Sequence, residues 1–169
     1  MDGSRKALFD GVAKTLGHNF DGEMRIGGNY VPALQNGDEV YVSGQIPRID
    51  NTVVVVGRVG AEVSLEQARH GAKICTLRAL AILGQLLGDL ERIKQVLRIN
   101  VYVQSAADFT QQSEVADAAS EVLYSIFADA GVHTRTSVGV YQLPKNASVE
   151  VDMIVALEPA EAPHEETED

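Results

Sequence analysis

Residues 64–89 read SLEQARHGAKICTLRALAILGQLLGD, and how this run folds decides the architecture around it. Ser64 and Gln67 have the spacing of a capping box, in which each side chain satisfies an orphan backbone N–H at a helix start. Ala68, Ala72, Cys75, Ala79, Ile82 and Leu86 then share one helical face, and Gly88 supplies the stop. Such small residues predict a helix lying close against a sheet. Gly71 costs about 1 kcal/mol in a helix interior, which close packing would explain. Upstream, YVPAL and EVYVSGQI read as two strands around QNGD, where Asn36-Gly37 is a hairpin signal. TVVVVGRVG reads as a further short strand after the RIDN turn. Downstream, RIKQVLRINVYVQS passes from a turn into a strand of about seven residues. SEVADAASEVLYSIFADAG follows as a second long helix with Val115, Ala119, Val122, Ile126 and Phe127 inward. HTRTSVGVYQLPK and SVEVDMIVAL close the chain as two strands around an LPKN turn. Residues 2–16 predict a helix capped by Asp2 or Ser4 and stopped by Gly17, with Ala7, Leu8, Val12 and Leu16 as its apolar stripe. Hairpins mixed with β-α-β units argue for an α+β fold, a mixed sheet with two long helices on one face.

Composition sets outer limits. With 169 residues, 45% hydrophobic and 22% charged, the chain suits one soluble domain over 1–157, of which 1–25 form an N-terminal helix-and-loop extension. No window approaches 18 apolar residues and the start lacks an apolar signal core, so a cytoplasmic protein without membrane contact is expected. Cys75 is the single cysteine, and the histidines at 18, 70, 133 and 164 lack ligand spacing. Neither an intrachain disulfide nor a metal site is expected. The net charge is −10, yet EPAEAPHEETED (158–169) holds six acids and no Lys or Arg, leaving 18 acids against 14 bases. That tail predicts disorder by self-repulsion and the lack of bulky apolar residues. The chain has no basic stripe of the kind nucleic-acid binding requires.

One cation stands out. Strand alternation puts Arg135, Ser137, Gly139 and Tyr141 on one face, and Ser148, Glu150 and Asp152 on the polar face of the last strand. A guanidinium on a half-buried strand needs a partner, and nothing beside Arg135 in sequence neutralises it. Two partners are open: Glu150 across the strands, on an otherwise solvated face, or a ligand carboxylate. Register weakens the first. A turn at 144–146 sets Glu150 opposite about residue 140 and leaves Arg135 roughly 16 Å farther along. Bringing the two charges together would take a second copy of the chain.

YVSGQIP, GRVGAEVSLEQA, DF, TRTSVGVYQLPK and VEVDMIV, in this order and spacing over residues 26–157, resemble the Rid family. Its members are reactive intermediate/imine deaminases, also called YjgF-like and often labelled endoribonuclease L-PSP. The longer N-terminal helix and GNYVP mark a distinct branch. The resemblance implies a chorismate-mutase-like α+β fold, a homotrimer with clefts between subunits, and hydrolysis of 2-imino or 2-enamino acids, such as those from 2-aminoacrylate, to 2-keto acids without a cofactor. Arg135 would clamp the substrate carboxylate, for which a planar fork is suited, and Glu150 would orient or activate the water. Tyr30 and Ser113 would line the cleft, Ser113 standing where asparagine is common. Gly44 would let the backbone approach the ligand, and Ser137, at a position usually held by cysteine, would offer its main chain. His133-Thr134 and Pro32 depart from the family pattern and bear on substrate range. The deaminase reading needs an Arg135 that its own chain does not tie up. A trimeric binding protein for small carboxylates, without chemistry, is the alternative. The acidic charge disfavours a ribonuclease. Chorismate rearrangement is disfavoured because no cluster of several arginines for a dicarboxylate is visible.

Overall fold

The computed structural model describes residues 3–160, and in it the Asn36-Gly37 hairpin forms as read. Strands β1 (Ala33–Asn36) and β2 (Glu39–Gln45) pair antiparallel with Asn36 opposite Glu39, and Gly37 takes the positive φ, 61°, that the turn requires. β3 (Arg48–Ile49) and β4 (Thr52–Val53) form only a two-residue ribbon. The predicted strand TVVVVGRVG is therefore corrected. Gly57 and Gly60 adopt φ of 111° and 92°, conformations that break an extended run, and Val54 and Val56 are exposed.

Helix α2 (Leu65–Leu87) starts on the Ser64/Gln67 capping box, with both reciprocal hydrogen bonds present, and ends at Gly88. It is buried on nearly every side, since the sheet lies under it while α1 (Arg5–Leu16) and α3 (Gln112–Phe127) pack beside it. Leu86, predicted inward, emerges into solvent on the last turn. Gly71 is explained by the packing. A Cβ there would stand 3.0 Å from Val149 Cγ1 and 3.3 Å from Val55 Cγ2, closer than a core tolerates without shifting. α3 buries its five predicted residues. α1 is capped by Ser4, whose side chain accepts from the Ala7 N–H, and it buries Phe9 and Ala13 rather than Leu8.

β5 (Ile93–Gln104) is longer than its expected seven residues, β6 is Thr134–Val140 and β7 is Val149–Leu157. The main sheet runs β1-β2-β7-β5-β6. The sequence made β6 and β7 neighbours; they are not. β6 lies parallel to β5, and β7 inserts antiparallel between β2 and β5. The reason is α3, which carries the chain back over the sheet so that β6 enters in the same direction as β5. α2 and α3 cover one face. The other carries Tyr41, Asn100, Tyr102, Glu150, Asp152 and Ile154, with no helix over it among the described residues. The acidic tail lies, from residue 161 onward and including His164, outside the described residues.

Candidate active site

Four segments meet at one end of the sheet: the end of β2, the start of β7, the 144–146 turn and the loop 25–30. Between them is a cleft of about 190 Å³ lined by Tyr30, Gly44, Arg48, Arg78, Lys145 and Glu150, among others. Glu150 points away from the helices, since its neighbours Val149 and Val151 fill the core. It is half-buried, and among the described residues its carboxylate has no hydrogen bond or ion pair. Burial, and then the charge of Asp152, hold its pKa above the ordinary carboxylate range. Gly44 leaves room for it. A Cβ at Gly44 would come within 2.9 Å of Glu150 Cδ and overlap a carboxylate oxygen. Tyr30 is 52% exposed and its ring lies over Gly28.

The rim of the cleft is strained. Lys145 and Asn146 sit at φ of 57° and 59°, a left-handed conformation that costs non-glycine residues about 1 kcal/mol or more each. Buried Gln104 holds them there, accepting from the Leu143 N–H (2.8 Å) and donating to Asn146 Oδ1 (2.7 Å). The turn thereby carries Lys145 to the cleft.

Two further cations lie beneath. Arg48 is only 9% exposed, its Nε has no acceptor, and its guanidinium makes no hydrogen bond or ion pair among the described residues. Arg78, 3% exposed, donates to Gln45 Oε1 (3.3 Å), Arg48 O (3.0 Å) and Arg25 O (3.0 Å), all neutral acceptors. Its pKa is pushed down, first by burial and, against an opposing pull from Cys75, by the Arg48 charge. The expectation that the chain lacks an arginine cluster is corrected: Arg25, Arg48 and Arg78 line one cleft.

Arg135 is not free. Its Nη1 donates to Asp117 Oδ1 (2.8 Å) and Ser120 Oγ (3.0 Å), and its Nη2 to Ser113 Oγ (2.9 Å) and Ser113 O (3.3 Å). The expectation of a guanidinium unpartnered by its own chain is thus overturned. Ser113, Asp117 and Ser120 recur at four- and three-residue spacing on α3, one stripe of a helix, and that stripe overhangs β6. Ser120 Oγ also lies 2.9 Å from His133 Nε2, whose Nδ1 is 2.6 Å from Gly131 O. Ser137 shares the Arg135 face of β6 and is partly buried. The Arg135–Asp117 pair is half open to water, with side-chain exposures of 22% and 54%, so it is worth no more than about 1 kcal/mol.

The six expected site residues therefore fall into two groups. Tyr30, Gly44 and Glu150 meet in the cleft; Ser113, Arg135 and Ser137 gather under α3. β5 lies between the groups, pairing Tyr102 with both Glu150 and Val138, and Ile99 with both Arg135 and Met153. Two strand spacings across and three residues along amount to roughly 10 Å in each direction, and the side chains leave opposite faces of the sheet. No small substrate bridges them within one chain. Sequence reasoning missed Arg48, Arg78, Lys145, Asp117 and Ser120. Arg78 did carry a signal, a lone charge in the apolar run CTLRALAILG. Elsewhere the buried Cys75 thiol has its pKa pushed well up by burial, which leaves it unreactive. No cluster of three metal-ligating side chains occurs among the described residues.

A protein-family profile described as "YjgF/chorismate_mutase-like, putative endoribonuclease" matches residues 16–157. Protein TCP17 of Trypanosoma cruzi is 41% identical over 130 residues, 76% of this chain and 81% of that protein. The 2-iminobutanoate/2-iminopropanoate deaminase of Dermatophagoides farinae is 30% identical over 132 residues, 78% of this chain and 88% of its own. Among solved structures, the protein Atu1372 of Agrobacterium tumefaciens, titled as of unknown function, superimposes with a TM-score of 0.80 at 35% identity, covering 90% of this chain and 94% of that one.

Proposed function

We propose that this chain, which belongs to the YjgF/chorismate-mutase-like family, hydrolyses 2-imino and 2-enamino acids to 2-keto acids and ammonia in clefts completed by a second copy within a homotrimer. The observation that carries the reading is Glu150: half-buried, without a partner among the described residues, raised in pKa and seated against a glycine that leaves space beside it. A carboxylate so placed, with its pKa raised, can exchange a proton with water or with a substrate nitrogen. Glu150 takes a proton from water as the oxygen attacks the imine carbon, and the C=N π electrons pass to nitrogen. It returns the proton to that nitrogen, then carries the proton of the new hydroxyl to the same nitrogen as the C–N bond breaks, so that ammonia leaves and the C=O of the keto acid forms. One water is consumed per imine.

Arg135 of a neighbouring copy binds the substrate carboxylate. Arg135 is tied up by its own chain, contrary to the expectation from the sequence, but the carboxylate that ties it is exposed. Exchanging Asp117 for a substrate carboxylate therefore costs little, while Ser113 and Ser120 keep the fork oriented. The uncovered sheet face supports assembly, since it exposes Leu34, Tyr41 and Val138. The decisive experiment generates 2-aminoacrylate in situ with purified protein and follows keto-acid release. Acceleration over buffer that disappears in Glu150→Gln is expected; release no faster than in buffer sinks the proposal. One observation favours the alternative of a binding protein: Arg135 is already held by its own chain. Saturable binding of pyruvate or 2-oxobutyrate without turnover of any imine would select it.

A further inference from the structure

Arg48 and Arg78 form a cationic floor to the cleft, and neither has a counter-charge among the described residues. No carboxylate stands within ion-pair distance of either among the described residues. Arg48 is the more exceptional. It is nine-tenths buried, its Nε has no acceptor, and a Cβ on Gly27 would approach its Nη2 at 3.8 Å, so the loop 25–30 closes over it. Two adjacent buried guanidiniums repel each other and lose hydration, which is unfavourable for both ions. Proteins keep such a pair where an anion repays it. Arg78 is fixed by three neutral acceptors, one of them the Arg48 carbonyl itself, which leaves Arg48 as the group that reaches the ligand.

We propose that Arg48, backed by Arg78, is a second carboxylate-binding subsite of the Glu150 cleft, so that the preferred substrates are the imino forms of dicarboxylic amino acids. The proposal rests on the deaminase reading for its chemistry, with the α-carboxylate going to Arg135 of a second copy and the side-chain carboxylate to Arg48. A monocarboxylate leaves Arg48 uncompensated; a dicarboxylate satisfies both arginines at once. Lys145, held at the rim by its strained turn, and Arg25 add further positive charge to the lining of the cleft.

The test uses full-length protein and two readouts. Turnover is compared for imines generated from aspartate or glutamate and from alanine or 2-aminobutyrate. Melting temperature is measured with oxaloacetate, 2-oxoglutarate, pyruvate and inorganic phosphate. The dicarboxylates should win on both, and in Arg48→Met the ratio of dicarboxylate to monocarboxylate kcat/KM should fall about 10- to 100-fold, the worth of one charge-assisted hydrogen-bonded contact. Ligand-free Arg48→Met should melt no lower than wild type, because an apolar side chain replaces an unpaired buried ion; a purely structural arginine would instead be missed. Equal turnover of the two series overturns the subsite and leaves the deaminase reading standing. Absence of turnover, with melting raised by oxaloacetate only when Arg48 is present, supports the subsite and removes the deaminase. Stabilisation by phosphate exceeding that by the dicarboxylates, or loss of the native assembly in Arg48→Met, overturns the proposal, the last by showing that the missing anion belongs to another copy.

Discussion

Two arginines, one on the edge strand β6 and one in the β3 ribbon, invert what their exposure suggests. Arg135, on an edge strand and partly open to water, has four hydrogen bonds from its own chain, one to a carboxylate. Arg48, nearly sealed from water, has none among the described residues. Water would rescue Arg135 if Asp117 were lost, whereas nothing among the described residues rescues Arg48. The comparison teaches that a missing ligand is marked by uncompensated burial rather than by a conspicuous charge in sequence. A ligand gains most at Arg48 and only replaces an existing partner at Arg135.

The largest expected effect breaks the Arg135 half of that comparison. Arg135→Ala should lower kcat/KM for imine hydrolysis about 100- to 1000-fold, since it removes a bidentate charge-assisted contact. Refolding a mixture of Arg135→Ala and Glu150→Gln copies should restore part of the activity, because some clefts then combine two intact halves. Full activity in Arg135→Ala would remove its role, and no recovery in the mixture would remove the shared cleft. Next in size is Glu150→Gln, expected to cut kcat about 100-fold, a usual value for losing a general acid/base.

The same residue sharpens the comparison through pH. In the proposed reaction Glu150 works as a carboxylate, and its pKa is raised, so the rate should be full above that pKa and fall as pH drops through it. The acid limb of the kcat/KM profile should therefore lie above the ordinary glutamate value of about 4.3. For stability the raised pKa means that the native state holds its proton longer than the unfolded state, so stability declines as pH rises from the unfolded pKa through the folded one. Glu150→Gln should melt higher than wild type above that window and gain nothing below it, a difference that melting curves across pH will report. A smaller effect is expected of Gly44→Ala. Its Cβ collides with the flexible end of Glu150, so activity should drop about tenfold while stability stays within about 1 kcal/mol. The smallest is Asp117→Asn: releasing a half-exposed pair should change stability by less than about 1 kcal/mol and lower KM severalfold at most. A large rise in KM would mean that Asp117 positions the fork rather than competing for it.

Much of the fold was legible because its signals are local. The Ser64/Gln67 box, the Gly17 and Gly88 stops and the Asn36-Gly37 turn each depend on a few adjacent residues, and all formed as read. The strand TVVVVGRVG failed because β-branched composition was outweighed by two glycines at positive φ. In the site, the family resemblance named six residues as one set; their division into two groups on opposite faces of the sheet was not readable, and neither was Arg48. A single arginine after Ile46-Pro47 looks like any surface residue until the loop 25–30 folds over it.

By itself the sequence determined the helices, the hairpin, the α+β class and the family, since periodicity, caps and motif spacing are properties of neighbours along the chain. Tertiary structure alone decided that β7 enters between β2 and β5, that Arg135 and Glu150 leave opposite faces, and that Arg48 and Arg78 share one cleft. Those facts depend on which distant segments pack together, and burial of a charge acquires its cost only once the surrounding chain has excluded water.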